Sequence, residues 1–178
     1  MDPYAEACDQ LDRAGIKYLV VGAFGINLHA AQAGAVITTA DCDLLLPADP
    51  DVLGGAVAAL RALAYAIEAG DEPLPNEDAA TLAGIVRARA VVRAYRGDSR
   101  IDLMLQMAGS GFDELWDVQR RFIVQGVVLR VAPLEALIRS KRLANRPKDQ
   151  AFLAVHGAAL EDLRRRESAQ RPRRRGGK

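Results

Sequence analysis

Two aspartates spaced two residues apart, Asp41 and Asp43, sit in a segment that continues as Leu44-Leu45-Leu46. A third, Asp102, lies in a second apolar run, Arg100-Ile101-Asp102-Leu103-Met104-Leu105. Side chains alternate along a strand, so Asp41 and Asp43 point to one face. Carboxylates are rarely buried without a partner. Three of them on one sheet need solvent, a cation or a metal ion. Magnesium sites combine a few carboxylates with substrate phosphates, so the residue types point to phosphate chemistry. In nucleotidyl or phosphoryl transfer two divalent ions can clamp the attacking and leaving oxygens. Asp41 and Asp43 are then candidate ligands of the triphosphate-bound Mg²⁺ (or Mn²⁺). Asp102 is the candidate to complete a second metal site or to accept the nucleophile's proton.

These side chains need elements to place them. The run Tyr18-Leu19-Val20-Val21 before Gly22-Ala23 predicts a strand over 17–21 and a helix over 23–31. Gly22 and Ala23 therefore fall at a strand-to-helix turn. A glycine there lets phosphate approach closely, and a helix N-terminus offers backbone N–H groups to it. Lys141 and Lys148 stand on C-terminal helices, beside Ser140 and Asp149. They are either exposed charge or a reach toward phosphate, with Asp149 orienting a basic residue. His29 reads as a structural histidine. With His156 far along the chain no zinc spacing arises, and no serine–histidine–acid or cysteine–histidine set emerges.

The other elements follow from caps and turns. Asp2-Pro3 opens a helix that ends at Gly15. Strand 41–46 stops at Pro47 and leads to a helix over 49–63 and a short strand over 65–69. Residues 70–76, acidic and holding Pro73 and Pro75, read as a loop before a helix over 77–85. Runs 91–95 and 100–106 flank Arg96-Gly97-Asp98-Ser99 as a hairpin. A short helix over 112–120, a small hairpin over 122–131, and helices from Pro133 and Pro147 complete the chain. The order predicts a mixed α/β (α+β) plan without a dinucleotide-binding glycine fingerprint.

Composition bounds the rest. The chain has 178 residues, is 50% hydrophobic and carries a net charge of +1, which argues against general adhesion to nucleic acid or membrane. Residues 168–178 read as a disordered basic tail, a solvated terminus or a weak contact with RNA. Cys8 and Cys42 predict free thiols in a reducing compartment. Neither a membrane span nor a leader pattern is present, so a cytoplasmic setting is expected.

Taken in order, Gly22-Ala23, Asp41-Cys42-Asp43 and Asp102 resemble the nucleotidyltransferase superfamily with the DNA-polymerase-β-type catalytic core. The likeness is to small stand-alone bacterial members of the kind found in toxin–antitoxin modules. The run from Val131 through Lys141 to Asp149 is similar to the helical end of many such proteins. The resemblance implies a mixed-sheet core over 1–132, a packed helical segment over 133–167 and the tail. It implies ATP or another NTP as substrate and transfer of an NMP to an acceptor hydroxyl, with release of pyrophosphate. The catalytic and metal residues would be Asp41, Asp43 and Asp102; Gly22, Ala23, Lys141 and Lys148 would bind nucleotide. The acceptor stays open among a tRNA end, a protein and a small molecule. Ala23 stands where the family carries glycine or serine, and Ile37 and Ala40 where relatives often carry a basic residue. These differences suit the alternative, a weakly active or inactive member acting as an antitoxin-like or regulatory binding partner.

Overall fold

The computed structural model describes residues 2–35, 37, 39, 41–75 and 78–170. Ala40 and the tail segment 171–178 lie outside the described residues. The element order is α1 (Pro3–Arg13), β1 (Leu19–Val21), α2 (Gly22–Gln32), β2 (Asp41–Leu45), α3 (Pro50–Ala62), β3 (Ala66–Ala69), β4 (Glu72–Pro73), α4 (Ala79–Ala88), β5 (Val92–Arg96), β6 (Ser99–Met104), α5 (Phe112–Trp116), β7 (Arg120–Val124), β8 (Val127–Val131), α6 (Leu134–Ala144) and α7 (Pro147–Gln170). The strands form one sheet in the order β4-β3-β5-β6-β2-β1-β8-β7. It is mixed, as expected: β2 runs parallel to β6 and β1 parallel to β8, and the remaining pairs are antiparallel.

Local chemistry explains the boundaries. Asp2 caps α1 by accepting from the N–H groups of Tyr4 and Ala5, with Pro3 in the first turn. Asp49 does the same for α3, where Pro50 follows the cap. Two expectations shift. The acidic stretch after Ala69 is not all loop, because Gly70 takes a φ of +69° and folds Glu72 and Pro73 back onto β3. The short helix ends at Trp116 rather than 120, because Arg120 already pairs with Val131 in the last hairpin.

The sheet's alternation fixes the core. Cys42, Leu44, Ile101, Leu103, Val92, Ala94 and Ile67 fall in register on one face and are all buried. Helix α1 packs against β6 and β8, and α3 against α1, α4 and β3. Burial pushes the Cys8 thiol up to about 12 and Cys42 well above its ordinary value, so both stay protonated and inert. Helix α2 packs on β1, β2 and α6, and α6 packs on α7. None of the helices among the described residues is long and apolar enough to cross a membrane.

His29 ties α7 to this body. It is 1% exposed, its Nε2 donates to the Ala132 carbonyl at 2.9 Å, and its Nδ1 lies 2.8 Å from Glu167 Oε1. Phe122 meets the ring edge-on. The structural reading of this histidine is the one its surroundings support. Replacing His29 with alanine removes both bonds and opens a cavity, at a cost of about 2 kcal/mol or more. We expect the His29→Ala melting temperature to fall by about 5 °C or more. Val155→Ala, on the exposed side of α7, should leave it unchanged. Equal melting of the two variants would contradict this anchoring.

Candidate active-site cleft

Strands β2 and β6 run parallel with Asp43 opposite Asp102 and Asp41 opposite Arg100. Strand β5 adds Arg93 opposite Asp102 and Tyr95 opposite Arg100. Registered neighbours share a face, so the face turned away from the core carries a row of charges: Arg93, Asp102, Asp43, with Arg100 and Asp41 one step along. The pleat that buries Cys42 between two aspartates thus also sets both carboxylates side by side.

A cleft of about 430 Å³ opens over this row. It is lined by Gly22, Ala23, Asp41, Asp43, Asp102, Lys141 and Lys148, so the seven residues singled out from the sequence meet in one place. Arg93, Ser140 and Arg146 add polar groups, and Met104, Met107, Leu137 and Phe152 form an apolar wall. Arg93, Arg100 and Arg146 were not singled out in the sequence. Arg100 and Arg93 carried a usable signal, since each alternates with buried residues on the same face as Asp102. Arg146 and Phe152 had none, because their approach depends on how α6 and α7 pack.

Gly22 begins α2 with a φ of +63°. A Cβ built there would lie 1.8 Å from Asp43 Oδ2. The space that a side chain would take is occupied by the Asp43 carboxylate, so glycine is required for that approach as well as for the backbone. No side chain caps α2, and its first turn holds no acid, so its leading N–H groups are not satisfied by a carboxylate cap.

Asp43 is the electrostatic centre. Burial, then the charges of Asp41 and Asp102, push its carboxyl up to about 6, while Lys148 and Lys141 pull it back. Thr39 donates to Asp41 Oδ1 at 3.0 Å. Asp102 is 8% exposed and receives both prongs of Arg100, Nε to Oδ1 at 2.8 Å and Nη2 to Oδ2 at 2.6 Å. On the opposite wall, Asp149 is fully buried and accepts from Lys141 Nζ at 3.0 Å and Arg146 Nε at 2.7 Å. Burial works against its charge, but those two donors outweigh it and hold the carboxyl below its ordinary value. Lys141 Nζ also lies 4.4 Å from the centre of the Phe152 ring. Asp149 therefore fixes two cations at the mouth of the cleft, and Lys148 stands exposed beside them.

Among the described residues no three His, Cys, Asp or Glu side chains stand ready to hold an ion together. Asp102's pairing with Arg100 is a physical reason for this. The chemistry of Asp41 and Asp43 nevertheless fits a divalent ion. They are oxygen donors two residues apart on one strand face, and burial together with the neighbouring carboxylates pushes the Asp43 carboxyl up to about 6.

Two outcomes follow. Gly22→Ala forces a side chain into a left-handed backbone and into Asp43, so folding and the site should suffer together, with a stability loss of about 1–3 kcal/mol. A Gly22→Ala melting curve that overlays the parent's would contradict this. For Asp43, the folded protein holds a proton more tightly than the unfolded chain. Its contribution to stability is therefore complete below the ordinary value of 3.8 and is lost as pH rises through about 6. Without metal, Asp43→Asn should melt above the parent at pH of about 7.5, and the gap should narrow toward pH of about 5. A gap that does not change with pH would contradict the assignment.

No protein-family profile and no curated protein matches the sequence. Solved structures do match. The crystal structure of ANT(2″)-Ia in complex with adenylyl-2″-tobramycin superposes with a TM-score of 0.53 at 15% identity, covering 94% of this chain and 95% of that one. The solution structure of the same antibiotic-resistance factor gives 0.53 at 15% identity, over 94% and 90%. A candidate nucleotidyltransferase from Thermotoga maritima gives 0.51 at 12% identity, over 94% and 91%. The chain shares its mixed-sheet fold with these proteins.

Proposed function

We propose that the cleft binds a nucleoside triphosphate with a divalent ion and transfers its nucleoside monophosphate to an acceptor hydroxyl. The observation that carries this reading is the meeting of opposite charges across one cleft. Asp41 and Asp43 sit crowded on the sheet, and Lys141, Arg146 and Lys148 face them from the α6–α7 corner. The acids match a cation and the cations match a polyphosphate. ANT(2″)-Ia, which shares this fold, was solved in complex with adenylyl-2″-tobramycin, an adenylylated small molecule, and that complex supports the reading. The acceptor of this chain is a small molecule, an RNA end or a protein side chain.

Asp41 and Asp43 would hold Mg²⁺ or Mn²⁺. When bound, the ion neutralises triphosphate charge and polarises the phosphoryl oxygens. The chain's own groups do the rest. Lys141 and Arg146, held by Asp149, and Lys148 balance charge on the β- and γ-phosphates. The leading N–H groups of α2 offer further donors to a phosphate oxygen. The acceptor oxygen forms a bond to the α-phosphorus, the α–β bridging bond breaks, and pyrophosphate carries away the electron pair. The hydroxyl proton passes to solvent or to a carboxylate of the row. The apolar wall of Met104, Met107, Leu137 and Phe152 excludes water beside the reacting groups.

A second reading has its own support. Ala23 carries no hydroxyl for phosphate, and Asp102 is already neutralised by Arg100. A chain that binds nucleotide without turnover, as a regulatory partner, would show these features.

Release of pyrophosphate and transfer of label from an α-labelled NTP, across a panel of sugar, RNA and protein acceptors, separates the two. The enzyme reading predicts metal-dependent transfer, reduced at least about a hundredfold by Asp41→Asn with Asp43→Asn. Lys141→Ala should raise KM more than it lowers kcat. Saturable NTP binding with no transfer to any acceptor supports the partner reading. Transfer that survives the double substitution overturns the site.

A further inference from the structure

We propose that Arg100 is a positioning residue that keeps Asp102 out of the metal set, so that the resting cleft takes one divalent ion, on Asp41 and Asp43. The inference rests on the reading of the cleft as a metal-dependent nucleotide site. It goes further by dividing the three aspartates into two that are available and one that is guarded.

Arg100 and Asp102 lie two residues apart on β6 and so share a face. A guanidinium presents donors in a rigid fork that matches both oxygens of a carboxylate. Here the match is complete, at 2.8 Å and 2.6 Å, with Asp102 almost wholly buried. The side chain of Arg100 stays 40% exposed, so an incoming ligand can reach it. The surroundings favour this arrangement. Arg93 stands across from Asp102 on β5, although its Nη1 is spent on Asp71 and the Gly70 carbonyl. Asp43 stands across on β2, and Asp41 stands across from Arg100 itself. The guanidinium therefore stands between Asp102 and the charge of Asp41 on the next strand, and is fastened to Asp102 alone. A divalent ion approaching Asp102 must displace a fixed positive charge. One approaching Asp41 and Asp43 need not. The same pairing accounts for the absence, among the described residues, of three acids converging as they stand.

The test is a Mn²⁺ titration of the full chain, following free Mn²⁺ by electron paramagnetic resonance, for the parent, Arg100→Gln and Arg100→Gln/Asp102→Asn. The parent should bind one ion per chain. Arg100→Gln should gain a second ion or bind at least about tenfold more tightly, a change of the size seen when outer partners of ligands are altered. Adding Asp102→Asn should abolish the gain, as expected if the two residues act through each other. Should Arg100→Gln fail to fold, Asp102→Asn alone decides: an unchanged single ion supports the inference, and a lost ion overturns it. Identical binding by the parent and Arg100→Gln, or a gain that persists without Asp102, overturns the inference while leaving the nucleotide reading standing. No Mn²⁺ binding by any of the proteins overturns both.

Discussion

Like charges crowded on one sheet face set the terms for the rest of this structure. Asp41, Asp43 and Asp102 are placed by strand alternation and by the parallel register of β2 and β6. Burial, and then their mutual repulsion, hold the Asp43 proton to about 6. Such an arrangement has to be answered by cations, and the fold supplies them from two directions. Arg100 answers Asp102 from the same strand. Lys141 and Lys148 answer Asp43 from the helical corner. On the proposed reading, the remaining charge on Asp41 and Asp43 would be answered by a divalent ion.

The helices follow from that need. Gly22 admits the Asp43 carboxylate against the start of α2, where an alanine Cβ would collide with it. Asp149, buried at the start of α7, accepts from both Lys141 and Arg146 and so draws two flexible chains together at one place in the cleft, where the proposed reading has them meet phosphate. His29, on α2, bonds the Ala132 carbonyl that leads into α6 and meets Glu167 near the end of α7. The two walls of the cleft are thereby tied through the core.

Much of this was legible in the sequence, for identifiable reasons. Alternation in Asp41-Cys42-Asp43-Leu44 fixed which side chains face the core, and the glycine after a β-branched run marked the strand-to-helix turn. The Asp2-Pro3 cap placed α1. The short return strand Glu72–Pro73 was hidden because two prolines argue for a loop, and only the Gly70 turn reveals the pairing. Arg100 was visible but unread: its spacing to Asp102 equals that of Asp41 to Asp43, and a cation at that spacing pairs where an anion repels. The placing of Arg146 and Phe152 in the cleft depends on the α6–α7 corner, where Asn145 takes a left-handed φ of +48°, and no local pattern encodes that angle.

On the proposed reading, the unanswered charge on Asp41 and Asp43 makes nucleotide binding depend on a divalent ion. Calorimetric titration of the full chain with ATP, GTP, CTP and UTP, in Mg²⁺ and again in excess chelator, tests it directly. The structure predicts saturable binding of at least one NTP with Mg²⁺ and loss of that binding in chelator, because a bare triphosphate would meet the carboxylate row unshielded. Equal affinity with and without the ion, or no binding of any NTP in its presence, would contradict it.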